Sequence, residues 1–311
     1  MSWSFRSPAK INPHLTVVGR RNDGFHELKL LFQTIDLHDL LHFERAGSGF
    51  LLESLRVDDS LHGVELAAGE DNLVVRAGRA FAQRWPLSGG IRVRVEKSIP
   101  IGGGLGGGSS NAATTLLALR TIFGQPMTVA ELWPVARELG ADVPFFLLGG
   151  LAAGFGRGEE LLPIEDGPEE ELILAQPRAS VSTASVFAEF SRQSAESTAG
   201  SRPESMTGST WPRTLVRWAL EGRNAESLRQ LDGSNDLEAG VRASCEPVSA
   251  VYAALHRQGV EGVRMTGSGA CLFGFPPRVD SDLPVLPPEL GSIRRVRTLS
   301  RRSLAEFRGA S

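Results

Sequence analysis

The sequence predicts an α+β fold, and three observations carry that expectation. Strand-like alternation fills residues 5–50. Helical patterns then follow without the regular strand–helix alternation of a doubly wound sheet. The composition shifts abruptly at Pro163-Ile-Glu-Asp-Gly-Pro-Glu-Glu-Glu171, which divides the chain into a first domain over residues 1–165 and a second over 166–311. A chain of 311 residues is long enough for two separate cores.

Taken in order, residues 5–50 read as strands turned at Asn22-Asp-Gly24 and Gly47-Ser-Gly49, with Thr34 to Phe43 as strand, turn, strand. Helices are expected near 71–85, 110–123 and 128–139. The second of these stops at Gly124 with Pro126 beyond, and the third starts at the capping box Thr128-Val-Ala-Glu131. A glycine-punctuated apolar segment covers 143–157. Residues 191–213, rich in Ser, Thr, Gly and charge, read as a long mobile loop. Helical stretches near 213–231 and 238–258 precede a strand-turn from Val263 to Phe273. The arginine-dotted tail is expected to form a terminal strand and helix, and the part after residue 276 to pack back on the first domain.

Composition narrows the function classes. The net charge is −3 and no dense Lys/Arg patch occurs, so no nucleic-acid partner is expected. A 41% hydrophobic and 22% charged composition is that of an ordinary soluble protein. The longest apolar run, Val143 to Ala153, is broken by Pro144, Gly149 and Gly150 and is too short to span a bilayer, so no membrane association is expected either. The N-terminus lacks a signal pattern, which makes the cytoplasm the default location. Cys245 and Cys271 read as small core residues. His38 and His42 lack a third ligand in step, so no metal site is assigned to them.

The most informative segment is Pro100-Ile-Gly-Gly-Gly-Leu-Gly-Gly-Gly-Ser-Ser-Asn-Ala112. It lies between a strand, Ile91 to Glu96, and a helical run from Ala112 to Phe123. A glycine loop at a helix start lets backbone N–H groups converge where the helix dipole is positive, which suits phosphate. It is not a Walker loop, because Ser109 stands where the lysine should. Gly102, Gly104 and Gly107 satisfy a dinucleotide fingerprint, but the acidic residue at the right distance, Glu131, belongs to the capping box. What remains is a Pro-x-Gly-x-Gly-Leu-Gly run followed by two serines. In that form the loop resembles the ATP loop of the GHMP small-molecule kinases.

Other segments occur in the order of one branch of that family, whose substrate is a cytidylated methylerythritol of the non-mevalonate isoprenoid route. They are Pro8-Ala-Lys-Ile-Asn12, Arg21-Asn-Asp-Gly-Phe-His26, Glu70-Asp-Asn-Leu-Val-Val-Arg76, Leu139-Gly-Ala-Asp-Val-Pro144, Ser234-Asn-Asp-Leu-Glu238 and Met265-Thr-Gly-Ser-Gly-Ala270. The resemblance runs from about residue 7 to about residue 275. It implies an N-terminal ATP-binding domain, a ferredoxin-like C-terminal domain and an active site between them. It also implies ATP held by Pro100, Ile101, Gly102, Gly103, Gly104, Leu105, Gly106, Gly107, Gly108, Ser109 and Ser110. Magnesium follows from ATP chemistry rather than from a visible ligand set, with Ser109 and Ser110 the nearest hydroxyls.

Candidate side chains have two readings each. Local sequence makes Asp142 a helix N-cap, whereas the resemblance makes it the base that takes the substrate proton. Lys10 is locally a solvated strand lysine; by resemblance it lies beside Asp142. Asn12 shares its strand face and would meet the substrate hydroxyl. By resemblance His26 bonds the cytosine edge while Phe25, where tyrosine is usual, and Phe187 stack on the ring. Asn72 and Lys97 are candidates for the nucleoside pocket, and Gly267-Ser-Gly269 borders the site from the second domain. Kinases of the homoserine or mevalonate type are the rival reading. A nucleotide-binding module without catalysis is another, but it predicts loss of Asp142 or Lys10, and both are present.

Overall fold

The computed structural model describes residues 1–57, 69–197, 235–276 and 282–309. Two sheets organise it. The first contains β1 (Ser2–Arg20), β2 (His26–Ala46), β3 (Phe50–Val57), β4 (Gly90–Lys97), β5 (Leu151–Phe155) and β6 (Glu160–Ile164). Its order is β3-β4-β2-β5-β6, with β1 paired antiparallel to β2. The second contains β7 (Glu171–Pro177), β8 (Glu261–Met265), β9 (Leu272–Phe275) and β10 (Gly291–Arg297). Its spatial order, β10-β7-β9-β8, is the 4-1-3-2 arrangement of a ferredoxin-like sheet.

Helices α1 (Leu73–Arg84), α2 (Gly107–Ile122), α3 (Trp133–Leu139) and α4 (Val143–Leu148) accompany the first sheet. The predicted third helix begins one 3-10 turn earlier, at Val129–Leu132, with the Thr128–Glu131 capping box formed. The crossover from β7 to β8 includes α5 (Thr183–Ser197), α6 (Glu238–Ser244) and α7 (Glu246–Arg257). The tail ends in β10 and α8 (Arg301–Phe307).

Three expectations change. Residues 34–43 are not strand, turn, strand but one unbroken length of β2. Opposite Pro8 and Ala9 the pairing jumps from His38 to Ile35, so Asp36 and Leu37 form a bulge instead of a turn. Residues 191–197 belong to helix α5 rather than to a loop, because Val186 and Phe187 turn one side of it inward. The rest of the 191–213 segment and the helix expected at 213–231 lie outside the described residues. The single helix expected at 238–258 is two, α6 and α7, joined through extended backbone at Cys245.

β1 carries the structural weight of the site. Residues 7–17 are buried on both faces, so the half-buried alternation expected of this segment does not hold there. One side pairs with β2, and the other meets the second sheet's loops. Asn12 N–H donates to Thr266 Oγ1 at 3.0 Å, Asp236 N–H donates to the Leu15 carbonyl at 3.0 Å, and Asn235 bridges to Leu15. Asn235 itself donates to the carbonyls of Met265 and Gly267, both at 2.8 Å, and so sets the glycine turn at 267–269. Tail contacts close the other end. Leu299 N–H donates to the Thr34 carbonyl at 2.8 Å, and Arg308 donates to the Phe146 carbonyl at the end of α4.

Candidate active site

A cavity of about 1280 Å³ is lined by residues of β1, β2, the glycine loop, α5 and the 267–269 turn. It has two arms. The glycine loop, Asn72, Leu73, Lys97 and Asn111 line one; Phe25, His26, Arg157, Thr183 and Phe187 line the other. Lys10, Asn12 and Asp142 also line it.

The loop arm ends on α2. Gly106 sits in the left-handed region at φ 71°, and no side chain caps the helix. Ser110 N–H closes the first turn onto the Gly106 carbonyl at 2.9 Å, so the N–H groups of Gly107, Gly108 and Ser109 begin the helix at the cavity without an intrahelical acceptor. With the dipole of a 16-residue helix behind them, they are disposed to accept an anion.

Most of the loop glycines line the cavity and also have a packing reason to lack a side chain. A β-carbon on Gly104 would lie 2.0 Å from the Thr266 carbonyl oxygen, one on Gly103 2.6 Å from Cys271 Sγ, and one on Gly102 2.7 Å from Ser180 Oγ. These residues let the loop lie against the second sheet's turn, where Ala270 N–H and Cys271 N–H donate to the carbonyls of Gly102 and Gly103 at 3.1 and 3.3 Å. Gly106 faces the Phe146 ring and Lys10, and Gly107 faces Ile99 and Lys97. Gly108 alone of the six meets nothing tighter than an ordinary contact, with Leu73 at 3.4 Å. Ser110 also departs from expectation. Its hydroxyl donates to the Pro8 carbonyl at 2.5 Å and accepts from Ser7 at 2.8 Å, so it ties α2 to β1 and does not line the cavity.

Behind the loop lies a charge pair that sequence reasoning missed. Asp39 is fully buried; it accepts from Lys97 Nζ, from Asn111 Nδ2 at 2.9 Å, and from the N–H groups of Ser98 and Ile99 at 2.8 and 2.9 Å. A signal did exist. Leu37, Asp39 and Leu41 share the inward face of β2, and Val93, Val95 and Lys97 share that of β4, so each strand carries one charge at a core position. They stand one step beyond the paired residues Leu40 and Glu96. Asn72 caps α1 by accepting from Val74 N–H at 2.9 Å.

At the junction, Lys10 is 3% exposed and not the solvated lysine of the local reading. Its Nζ lies 3.8 Å from Asp142 Oδ2 and donates to Asn12 Oδ1 at 2.5 Å. Burial lowers its pKa, and the Asp142 charge partly offsets that. Asn12 in turn donates to the Leu31 carbonyl at 2.9 Å, so one lone pair of its carbonyl oxygen and one amide hydrogen are committed to holding Lys10 in place. That leaves the second amide hydrogen and one lone pair of Oδ1 for the substrate contact expected of it. Asp142 does occupy the N-cap position of α4, but its side chain makes no cap bond. The carboxylate is instead a third exposed and faces Lys10.

In the other arm His26 stacks on Phe187, with ring centroids 4.9 Å apart and planes at 24°, and its Nε2 lies 2.9 Å from Ser191 Oγ. Burial, and then the Arg20 charge, lower its pKa, which keeps the imidazole neutral at pH 7. The expectation of two phenylalanines around one open slot is modified here, since His26 covers a face of Phe187. Phe25 is 55% exposed, with the Arg157 guanidinium 5.0 Å from its ring centroid. Thr183 and Ser268 hydroxyls pair at 2.8 Å and link α5 to the 267–269 turn. Cys271 is buried and its thiol is pushed up to about 12, so it is not a nucleophile.

A nest of helix N–H groups in one cavity with a buried lysine and its partly exposed carboxylate partner, on a mixed sheet joined to a ferredoxin-like one, defines a small-molecule kinase of the GHMP class. The sequence profile for the GHMP kinases N terminal domain matches residues 72–150, and that for GHMP kinases C terminal matches residues 216–282. A Cupriavidus taiwanensis protein named 4-diphosphocytidyl-2-C-methyl-D-erythritol kinase is 38% identical over 304 residues, which is 97% of this chain and 94% of that relative. A crystal structure of 4-(cytidine 5'-diphospho)-2C-methyl-D-erythritol kinase superposes with a TM-score of 0.71 at 30% identity, covering 95% of this chain and 98% of the other. Homoserine kinase from Cytophaga hutchinsonii shares the fold at TM-score 0.67 and 17% identity, over 98% of this chain and 88% of its own. The chain belongs to the GHMP kinases, and within them to the 4-diphosphocytidyl-2-C-methyl-D-erythritol kinase family.

Proposed function

We propose that the chain transfers the γ-phosphoryl group of ATP to the 2-hydroxyl of 4-diphosphocytidyl-2-C-methyl-D-erythritol. The observation that carries this is the continuity of one cavity from the helix N-terminus, past Lys10 and Asp142, to the aromatic arm. Phosphoryl transfer needs a held nucleotide, neutralised charge and a positioned hydroxyl, and each has a candidate there. The N–H groups of Gly107, Gly108 and Ser109 hold the phosphates. The substrate oxygen bonds to the γ-phosphorus as the bond to the bridging oxygen breaks and ADP leaves. Asp142 takes the hydroxyl proton, and Lys10, held by Asn12, offsets negative charge at the transferring group. Phe25, His26 and Phe187 receive the cytosine, a remote base whose binding positions the hydroxyl.

Among the described residues no three His, Cys, Asp or Glu side chains cluster as a metal site. This donor set fits magnesium carried chiefly by nucleotide phosphates, with Asp142 and Ser109 the residues that would face it. When bound, the ion supplies charge neutralisation on the phosphates. Residues 1–165 are taken as the ATP-binding unit and 166–311 as the substrate unit, with the tail returning to the first. No helix among the described residues is long and apolar enough to cross a membrane. Two free cysteines favour a reducing compartment, the cytoplasm.

The test is ATP consumption across cytidylated methylerythritol, plain methylerythritol phosphate, homoserine and mevalonate. Turnover confined to the cytidylated compound is expected. Equal turnover of the plain and cytidylated forms would remove the reason for an aromatic arm, and preference for homoserine or mevalonate would favour the rival type.

A further inference from the structure

Between the aromatic arm and the Lys10–Asp142 pair lies a cation to which neither the nucleotide nor the phosphoryl transfer gives a task. The turn joining β5 to β6 carries Arg157 into the cavity. At one side its guanidinium stands 5.0 Å from the Phe25 ring centroid. At the other, the next residue, Gly158, is close enough to the candidate base that a β-carbon on it would lie 3.9 Å from Asp142 Oδ1. One short turn therefore spans from the base clamp to the reacting end.

That turn is well anchored. Leu28 N–H donates to the Gly156 carbonyl at 2.7 Å, Gly156 N–H donates to Glu27 Oε1 at 3.2 Å, and Arg157 N–H donates to Glu159 Oε2 at 2.8 Å. Arg157 Nε donates to Glu159 Oε1 at 3.2 Å, while neither terminal guanidinium nitrogen has a partner among the described residues. Glu159 thus aims the fork through one nitrogen and leaves the other two open. Arg157 is 36% exposed in this pair and the Asp23 charge also acts on it, so its positive charge is offset in part and not cancelled. Arg20 enters the same arm with a single long contact, to the Gly24 carbonyl at 3.5 Å, and no carboxylate partner among the described residues. Lys10 and Lys97, by contrast, each face a carboxylate.

We infer that Arg157, assisted by Arg20, binds the diphosphate that joins the nucleoside to the polyol of the substrate. The inference rests on the substrate reading above. If the clamp takes the base and Asp142 the hydroxyl, the linking diphosphate, esterified at both ends and carrying two negative charges, must cross the space between them. A guanidinium fork matches two phosphate oxygens at once, and its fixed position sets the span from base to hydroxyl. Arg157 is therefore a specificity residue for diphosphate-linked substrates over plain nucleosides.

Calorimetry on the full chain, with the nucleotide arm filled by a non-hydrolysable ATP analogue, tests this with cytidine, CMP and CDP as probes. The native protein should bind CDP about 10- to 100-fold tighter than cytidine, the scale of charge-assisted hydrogen bonds. Arg157→Gln should lose most of that gain, measured as the ratio of CDP to cytidine affinity within the same variant, and Arg157→Lys should retain part of it. In steady-state assays Arg157→Gln should raise KM for the cytidylated substrate and not KM for ATP. CDP binding no tighter than cytidine in the native protein, or an undiminished CDP advantage in Arg157→Gln, overturns the assignment. Should Arg157→Gln fail to fold, the native comparison and Arg157→Lys still decide. Failure of the native protein to bind either cytidine or CDP would remove the substrate reading itself, and this inference with it.

Discussion

The two arms of the cavity are built in opposite ways. The nucleotide arm is chiefly backbone from one contiguous stretch, residues 100–111, with its N–H groups aimed by the helix that begins there. The substrate arm is side chains from three distant segments, around residues 20–28, at Arg157 and along 183–191. Backbone donors in a helix start hold their geometry whatever the neighbouring side chains do, which suits a phosphate chain that many kinases share. Side chains from three segments can be exchanged one at a time, which suits a substrate that distinguishes one kinase from another. The common arm is local and the discriminating arm is assembled.

The largest expected effect lies at the junction and would show whether the arms converge on one reaction. Asp142→Asn should lower kcat by about 10²- to 10⁴-fold, the range for a positioned base, with little change in ATP or substrate binding. Near-normal turnover would reduce Asp142 to a helix-start residue and leave the arms without a common centre.

Next comes the backbone arm. Gly106 is a poor probe, since a β-carbon there meets Phe146 at 2.8 Å and Lys10 at 3.2 Å under a left-handed backbone. Gly108 lies in ordinary helix with room around it, so Gly108→Leu should fill the phosphate site without straining the loop. A loss of ATP affinity of about 10- to 100-fold is expected by titration, with cytidine binding retained. Unchanged ATP affinity would refute the backbone arm.

The substrate arm should behave conversely. Phe25→Ala should cost about 1–3 kcal/mol in cytidylated-substrate binding, the scale for stacking a base on an aromatic ring, and leave ATP unaffected. Phe25→Tyr keeps the stack and should be tolerated. An equal effect of Phe25→Ala on both ligands, measured by calorimetry, would erase the distinction between the arms.

The smallest effect concerns the seam that holds the arms face to face. Burial and the Arg264 charge depress His14 to about 4, so the unfolded chain binds this proton first and stability falls as pH drops from about 6.5 to 4. Burial raises Asp236 to about 6, outweighing the Val17 N–H that it accepts. The folded state keeps a proton that the unfolded chain has released, so stability falls as pH rises from about 4 to 6. Asp236→Asn keeps an acceptor and removes that penalty. It should raise Tm at pH 7.5, by roughly 1–2 kcal/mol of stability allowing for partial exposure, and leave Tm unchanged near pH 4. A gain of equal size at both pH values would rule out titration of Asp236 as the cause.

The sequence by itself determined the α+β class and the glycine loop with its helix, whereas Lys10, Asp142, Phe25, His26 and Phe187 were singled out by the family resemblance and not by their local patterns. The loop and its helix are legible because a glycine run between a strand and a helix pattern is a local statement, as is a capping box at Thr128. Only the tertiary structure showed the second constraint on the glycines, since a β-carbon on Gly102, Gly103 or Gly104 would meet Ser180, Cys271 or Thr266, which are distant in sequence. It also placed the Asp142 side chain, which makes no cap bond to its own helix and lies 3.8 Å from Lys10 Nζ. Asp39 and Lys97 were visible as charges in core registers, but their partnership depends on β2 and β4 lying side by side, and strand adjacency is not written in either strand. Residues 34–43 read as strand, turn, strand; the interruption is a bulge opposite Pro8 and Ala9 within a single strand. Local patterns specify what a segment can do, whereas long-range packing selects which of those things it does, because the burial that pays for the choice comes from residues elsewhere in the chain.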